Sequence, residues 1–408
     1  MNPLKSPAVL QSIAHTVYAL CQLYALTVLA RLGGVSAVGS YALALAVVTP
    51  TWMFVGLGMR QLVAVDVSER FGLWEYFLVR LMTGVGGVVI CGIFGWLMSD
   101  ASGALLAVAM GVARFIEALG DLVSGVYIRA GGFTRGSLSQ IARNILGVAG
   151  LSLGYGLSES LVVAVLVQAC CLLAVFVTID LTWLRKKGDC QAAVQPRGIF
   201  WKRSKELFWI SLPLGFSAML GSINSYVPQY LTEFRFGTDY LAILVSAFYF
   251  LRTGTIVVIS VWQVSAPAIA RNYKREQWAN VLRQLWFAIL IAVLLGNTVA
   301  LIGWFAGGEI LSFLLGDAFG QNIEFIRAIA LVAIPLYIAA ILNGALVPLE
   351  RTKQQLAIWI IAVGVNLLIG FVAMLAIGIV GIAVGWAASL LAQILWSSLV
   401  IRRVLRRG

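Results

Sequence analysis

The chain has 408 residues, 61% of them hydrophobic and only 11% charged, with a mean hydropathy of +0.95 and a formal net charge of +12. Runs of 18 or more mostly apolar residues recur from end to end, which excludes an ordinary soluble domain and indicates a multi-pass membrane protein. A single histidine, no CxxC pair and no HExxH, P-loop or GxSxG motif argue against a metal site, an ATP-driven pump within this chain or a hydrolase, and no cofactor is expected.

Hydropathy predicts about twelve spans, at 8–30, 38–60, 76–98, 102–128, 140–156, 160–184, 207–232, 239–263, 285–306, 325–348, 354–376 and 379–400. The first is too long and too polar for a cleavable signal. Lysine and arginine gather in alternate loops: Arg129 and Arg135, Arg185 through Lys205, Arg271 to Arg283, Arg351 and Lys353, and Arg402 to Arg407. The loops at 98–102, 156–159, 307–322 and 377–380 carry few. By the positive-inside rule both termini are cytoplasmic, and the positive charge reflects topology, not nucleic-acid binding. The expected architecture is all-α, with an N-terminal six-helix lobe (1–184), a basic cytoplasmic linker (185–206) and a C-terminal six-helix lobe (207–408) around a central cavity.

Polar residues within the spans are the candidates for function. In span one, Gln11, His15, Tyr18 and Gln22 share a helical face and serve either as interhelical hydrogen-bonding groups or as cavity lining. His15, the only histidine, is a candidate proton-coupling group. Span two carries Pro50, Gly56 and Gly58, and span seven Pro213, Gly215, Gly221 and Pro228, so both are expected to bend.

Span four holds Arg114, Glu117 and Asp121 on one face, which Gly125 continues. Charges at bilayer depth cost at least ~2.5–3.5 kcal/mol each and normally face a bundle interior or a hydrated cavity. Two readings stay open. Arg114 and Glu117 pair and Asp121 finds Arg252 or Arg143, as a register lock, or the trio lines a cavity with switchable pairing. Span seven adds Ser222, Ser225 and Gln229 with Asn224 beside them. Span eight places Arg252 mid-span with Tyr249 and Thr255 on its face; a guanidinium there suits an acid partner or a phosphate. Asn297, Asn343, Asn366 and Gln393 read as interhelical hydrogen-bonding residues.

Three segments carry a family resemblance. Ala30-Arg31-Leu-Gly-Gly-Val-Ser-Ala-Val-Gly-Ser-Tyr41-Ala-Leu-Ala and Gly56-Leu-Gly-Met-Arg60-Gln61-Leu-Val-Ala-Val-Asp66 resemble the start of bacterial Wzx-type O-antigen and polysaccharide flippases. Asp121-Leu-Val-Ser-Gly125-Val-Tyr-Ile-Arg129-Ala-Gly resembles the end of their fourth span. The resemblance implies a member of the multidrug/oligosaccharidyl-lipid/polysaccharide exporter superfamily in the bacterial inner membrane. Its implied substrate is an undecaprenyl-diphosphate-linked glycan, an O-antigen or other surface-polysaccharide repeat unit, carried to the periplasmic leaflet by alternating access. A coupling ion (proton or sodium), membrane lipid and other polysaccharide or lipopolysaccharide assembly proteins are the implied partners.

On the helical reading, Arg114 and Arg252 are the first candidates for a cationic lining, followed by Arg31 and Arg143. Gln11, Gln22, Ser222 and Gln229 suit sugar hydroxyls. Competing readings are a cation-coupled multidrug exporter of the same superfamily and, from another class, a membrane-embedded polysaccharide polymerase. The latter is expected to need a larger outer loop than 307–322. A sugar/proton symporter of the major facilitator type is disfavoured, because Asp66-Val-Ser-Glu-Arg70-Phe-Gly does not match its D-R-x-G-R-R pattern.

Overall fold

The computed structural model describes residues 7–66, 70–129, 132–186, 197–349 and 351–405, and among them the regular elements are all helical. α1 (Pro7–Val55) holds spans one and two; Gly34, at φ 68° and ψ −162°, breaks it where a side chain would be strained. A second break follows Val55: Leu57 and Gly58 have φ of 50° and 61° before α2 (Met59–Val65) begins. α3 (Leu73–Met98), α4 (Ala101–Arg129), α5 (Phe133–Ser158) and α6 (Leu161–Val175) come next. A π-helical turn at Phe176–Asp180 leads from α6 into α7 (Leu181–Lys186).

The second half comprises α8 (Arg197–Phe236), α9 (Thr238–Lys274), α10 (Trp278–Leu315), a 3-10 turn at Asp317–Phe319, α11 (Ile323–Leu331), α12 (Ala333–Ala345), α13 (Thr352–Ile377) and α14 (Val380–Leu405). Among the described residues nine helices are long and apolar enough to cross a membrane. The first of these, Thr16–Ala64, contains the Gly34 break and so holds two crossings. Spans five and eight of the sequence reading fall in α5 and in α9, of which Thr238–Tyr249 is a shorter apolar stretch.

α8 starts ten residues before the predicted edge of span seven, inside the stretch read from sequence as linker. Its first turns are charged, and ion pairs hold them: Arg203 Nε lies 3.4 Å from Glu75, and Glu206 accepts from Arg70. The Asp66 carboxylate accepts from the Arg70 and Phe71 amides at 2.9 and 3.2 Å, tying the α2–α3 corner to which α8 is fastened.

The chain forms two compact units. Unit one comprises Met1–Gly33 and Ala44–Ser222; unit two comprises Gly34–Leu43 and Ile223–Gly408. Both α1 and α8 therefore contribute residues to each. In unit two, α13 and α14 approach backbone to backbone: a Cβ on Gly385 would lie 2.2 Å from Gly370 Cα. Small residues permit such contact where lipid offers no hydrophobic drive for helix association. In unit one, Leu81, Met82, Val85, Val89 and Ile93 form an exposed apolar stripe along α3, the composition of a lipid-facing surface.

Candidate functional site

The fourth-span trio lies in unit one, organised by an arginine from the next helix. Arg114 Nη1 meets Glu117 Oε2 at 2.7 Å, with both side chains a little over a quarter exposed. Arg143 of α5, only 3% exposed, places Nη2 at 3.2 Å from Asp121 Oδ1 and from Ser124 Oγ, and donates from Nη1 to the Glu117 carbonyl at 2.8 Å. Of the two partners open to Asp121 from sequence, its ion pair is with Arg143. Arg60 of α2 stands 3.9 Å from the same carboxylate oxygen.

Deeper still is Asp180, fully buried at the end of the π-helical turn, where the Ser139 hydroxyl donates to it. Gly120 makes room for this layer, since a Cβ there would sit 2.4 Å from Arg143 Nη1 and 2.9 Å from Asp180 Oδ2. The Tyr127 hydroxyl donates to the Asp180 carbonyl at 3.3 Å. Arg80, 4% exposed, donates to the Gly56 carbonyl at 3.1 Å and so satisfies the backbone where α1 ends.

Four arginines (60, 80, 114, 143) thus accompany three acids (117, 121, 180), leaving one positive charge in excess when all are ionised. Burying such groups is offset only by good pairing. The pairs differ in access. The Arg114–Glu117 and Arg60–Asp121 side chains are about one-quarter to one-third exposed. Arg143 and Asp180 are shut away from solvent and act as the anchor.

The other sequence candidates are dispersed. Gln11 accepts from Ser137 Oγ at 3.1 Å, a contact between α1 and α5. Tyr18 and Gln22 are half-buried on α1, and the His15 side chain lies outside the described residues. Arg31 is exposed shortly before the Gly34 break. Ser222 is half-buried in unit one's part of α8, whereas Gln229 is buried in unit two. Arg252 is exposed on α9, its guanidinium carbon 5.7 Å from the Tyr249 ring centroid. Thr255, expected beside it, turns its hydroxyl to the Leu251 carbonyl at 2.9 Å.

Unit two has a neutral counterpart to the charged layer. Asn224 Oδ1 accepts from Asn366 Nδ2 at 3.2 Å and Ser389 Oγ at 2.9 Å. Gln393 Nε2 reaches Ser389 Oγ at 3.4 Å; Asn343 donates to Gln393 Oε1 at 2.7 Å and accepts from Ser397 at 2.8 Å. The network joins α8, α12, α13 and α14, the interhelical role expected of Asn343, Asn366 and Gln393. Asn297 instead donates to the Val293 carbonyl of its own helix.

Sequence reasoning passed over Arg80, Asp180 and Ser139, and named Arg60 only within a motif. Arg80 and Asp180 are lone ionisable residues in apolar runs, so the rule that found the α4 trio would have found them too.

No protein-family model matches the chain. It is 25% identical over 310 residues to a capsular polysaccharide biosynthesis protein, CapF, of Staphylococcus aureus, covering 76% of this chain and 77% of that one. Among solved structures, an inward-facing multidrug resistance MATE family transporter of the MOP superfamily superposes with a TM-score of 0.77 at 14% identity, covering 98% of this chain and 99% of that one. A MOP superfamily transporter from Pyrococcus furiosus, described by the reverse polarity of its binding pocket, superposes with a TM-score of 0.66 at 15% identity over 97% and 95% of the two chains. Nine helices long and apolar enough to cross a membrane among the described residues mark a multi-pass membrane protein, and the likeness gives it the fold of these MOP superfamily transporters.

Proposed function

We propose that the chain is a flippase that carries an undecaprenyl-diphosphate-linked oligosaccharide from the cytoplasmic to the periplasmic leaflet of a bacterial inner membrane. The observation that carries this reading is the charged layer of unit one, where arginines outnumber acids and two arginines sit in partly exposed pairs. A diphosphate head group bears about two negative charges and cannot cross ~30 Å of hydrocarbon unaided. Arg114 and Arg60 take its phosphates in place of Glu117 and Asp121; on unit two, Arg252 is a candidate phosphate contact in its own right. Arg143 holds the frame, while Gln22, Ser222 and Arg31 are secondary contacts. The relation to a capsular polysaccharide biosynthesis protein supports a surface-polysaccharide repeat unit as cargo. Alternation of basic loops supports cytoplasmic termini. An ion gradient, with His15 as a candidate carrier of protons, drives the alternating access of the lobes at 1–184 and 207–408.

The second reading, a cation-coupled multidrug exporter, is favoured by the MATE fold likeness alone. The deciding experiment removes the gene and complements it with wild type or Arg114→Ala. The flippase reading expects surface polysaccharide to be lost on deletion and restored by wild type only, at equal membrane levels of both proteins. Intact polysaccharide together with new drug sensitivity on deletion would select the exporter.

A further inference from the structure

One buried tyrosine in unit two acts on the backbone that carries Arg252. The carbonyl of the peptide unit joining Leu251 to Arg252 accepts the Tyr337 hydroxyl of α12 at 2.6 Å and the Thr255 hydroxyl at 2.9 Å. Tyr337 is completely buried. It reaches that carbonyl through a slot kept open by Gly254, where a Cβ would lie 2.1 Å from the tyrosine oxygen and 2.6 Å from its Cζ. Three residues, Tyr337, Gly254 and Thr255, thus converge on one carbonyl oxygen in mid-span.

Hydroxyls donating to a helical carbonyl compete with the amide that would otherwise hold it, and such back-bonding loosens or bends the helix there. The orientation of this peptide plane is then set from α12 as well as by the ladder of α9. The same plane contains the Arg252 amide nitrogen, so its orientation fixes the direction in which the Arg252 side chain leaves the helix, towards the Tyr249 ring 5.7 Å away. A phosphate recognised through a planar fork rewards that preorganisation.

We infer that Tyr337 is a positioning residue for Arg252: its hydroxyl holds the 251–252 peptide so that the guanidinium is presented to the phosphates of an anionic lipid. This rests on the phosphate-binding role given to Arg252 under Proposed function. The test uses the full chain in nanodiscs, with undecaprenyl diphosphate as the probe and undecaprenol as its phosphate-free control. Tyr337→Phe, which keeps the ring and removes the donor, is expected to weaken undecaprenyl diphosphate about fivefold, the effect of one hydrogen bond, and to leave undecaprenol unchanged.

In an Arg252→Ala background the same change is expected to have no further effect, while in an Arg114→Ala background its fivefold effect persists. Thr255→Val, removing the other donor on that carbonyl, should weaken the diphosphate in the same Arg252-dependent way. Equal weakening with and without Arg252, or none from Tyr337→Phe where Arg252→Ala does weaken binding, overturns the positioning role. Wild-type affinity in Arg252→Ala itself overturns the phosphate role of Arg252 and, with it, this inference.

Discussion

Arg143 of α5 and Asp121 of α4 form the pivot of unit one: the guanidinium, almost wholly buried, lies 3.2 Å from a carboxylate that is about one-third exposed. One end of the ion pair is sealed in the helix packing while the other remains within reach of solvent. A sealed guanidinium and partly exposed ion pairs therefore adjoin.

Arg143→Ala is expected to destabilise unit one by about 3 kcal/mol, because it takes the facing positive charge from buried Asp180, which keeps only the Ser139 donor, and the donor from the Glu117 carbonyl, while Asp121 keeps Arg60. Membrane-inserted protein should fall markedly in a detergent melting assay. Arg143→Met, which refills the volume, should share the loss as long as both acids remain. A melting curve like wild type for either variant would show that the pair carries no structural load.

Gly120→Ala inserts a methyl into the space shared by Arg143 and Asp180, with contacts of 2.4 and 2.9 Å. Overpacking of this kind costs about 1–3 kcal/mol. The expected outcome is a lowered melting temperature, partly recovered by pairing the change with Asp180→Ala. No interaction between the two substitutions in a double-mutant cycle would contradict the packing described for this layer.

In unit two, Asn224→Ala removes the Oδ1 acceptor shared by Asn366 and Ser389, which keep the Asn224 and Ala362 carbonyls at 2.9 Å each, so the loss is that of ordinary hydrogen bonds, about 0.5–1.5 kcal/mol. Asn224→Ala and Ser389→Ala should be strongly non-additive, because each deletes the same contact. Simple addition of their effects on unfolding would remove the network as a cooperative unit.

Replacing Gly34 by alanine forces a side chain into positive φ at the break in α1, where a Cβ meets no steric obstacle. This positive-φ, extended conformation is open essentially to glycine alone, so the cost is conformational, about 1–3 kcal/mol. Asn, whose tolerance of positive φ is confined to the left-handed helical region, should be no milder than Ala, and a melting temperature like wild type for either variant would contradict the claim.

Much of this arrangement was legible in the chain. The spacing of Arg114, Glu117 and Asp121 put them on one face, and Arg143 was one of two named partners for Asp121. Gly33 and Gly34 fell between the predicted first and second spans, where α1 does break. What could not be read was depth. Helical periodicity shows that residues share a face, but not that Arg143 is sealed and Asp121 accessible, since this depends on what α5 and the π-helical turn bring alongside.

Arg80 stood out in the chain as a lone charge in an apolar run, but its task at the end of α1 is visible only once the break after Val55 is seen. The partner of the Thr255 hydroxyl was not legible, because a threonine in a helix can satisfy it on its own backbone, here the Leu251 carbonyl. The charged start of α8 read as a linker because apolarity marks the membrane layer, while the helix runs past it on the strength of the ion pairs to Arg70 and Glu75.

The most direct test of the central claim is lipid flipping by the purified chain in proteoliposomes carrying an undecaprenyl-diphosphate-linked oligosaccharide. Arrival of the glycan at the outer leaflet is read by an impermeant lectin or glycosidase. Wild type is expected to move the lipid, and Arg60→Ala with Arg114→Ala to abolish the movement while the protein still melts as wild type. Transport by the double variant at the wild-type rate would contradict the assignment of the unit-one arginines to the diphosphate.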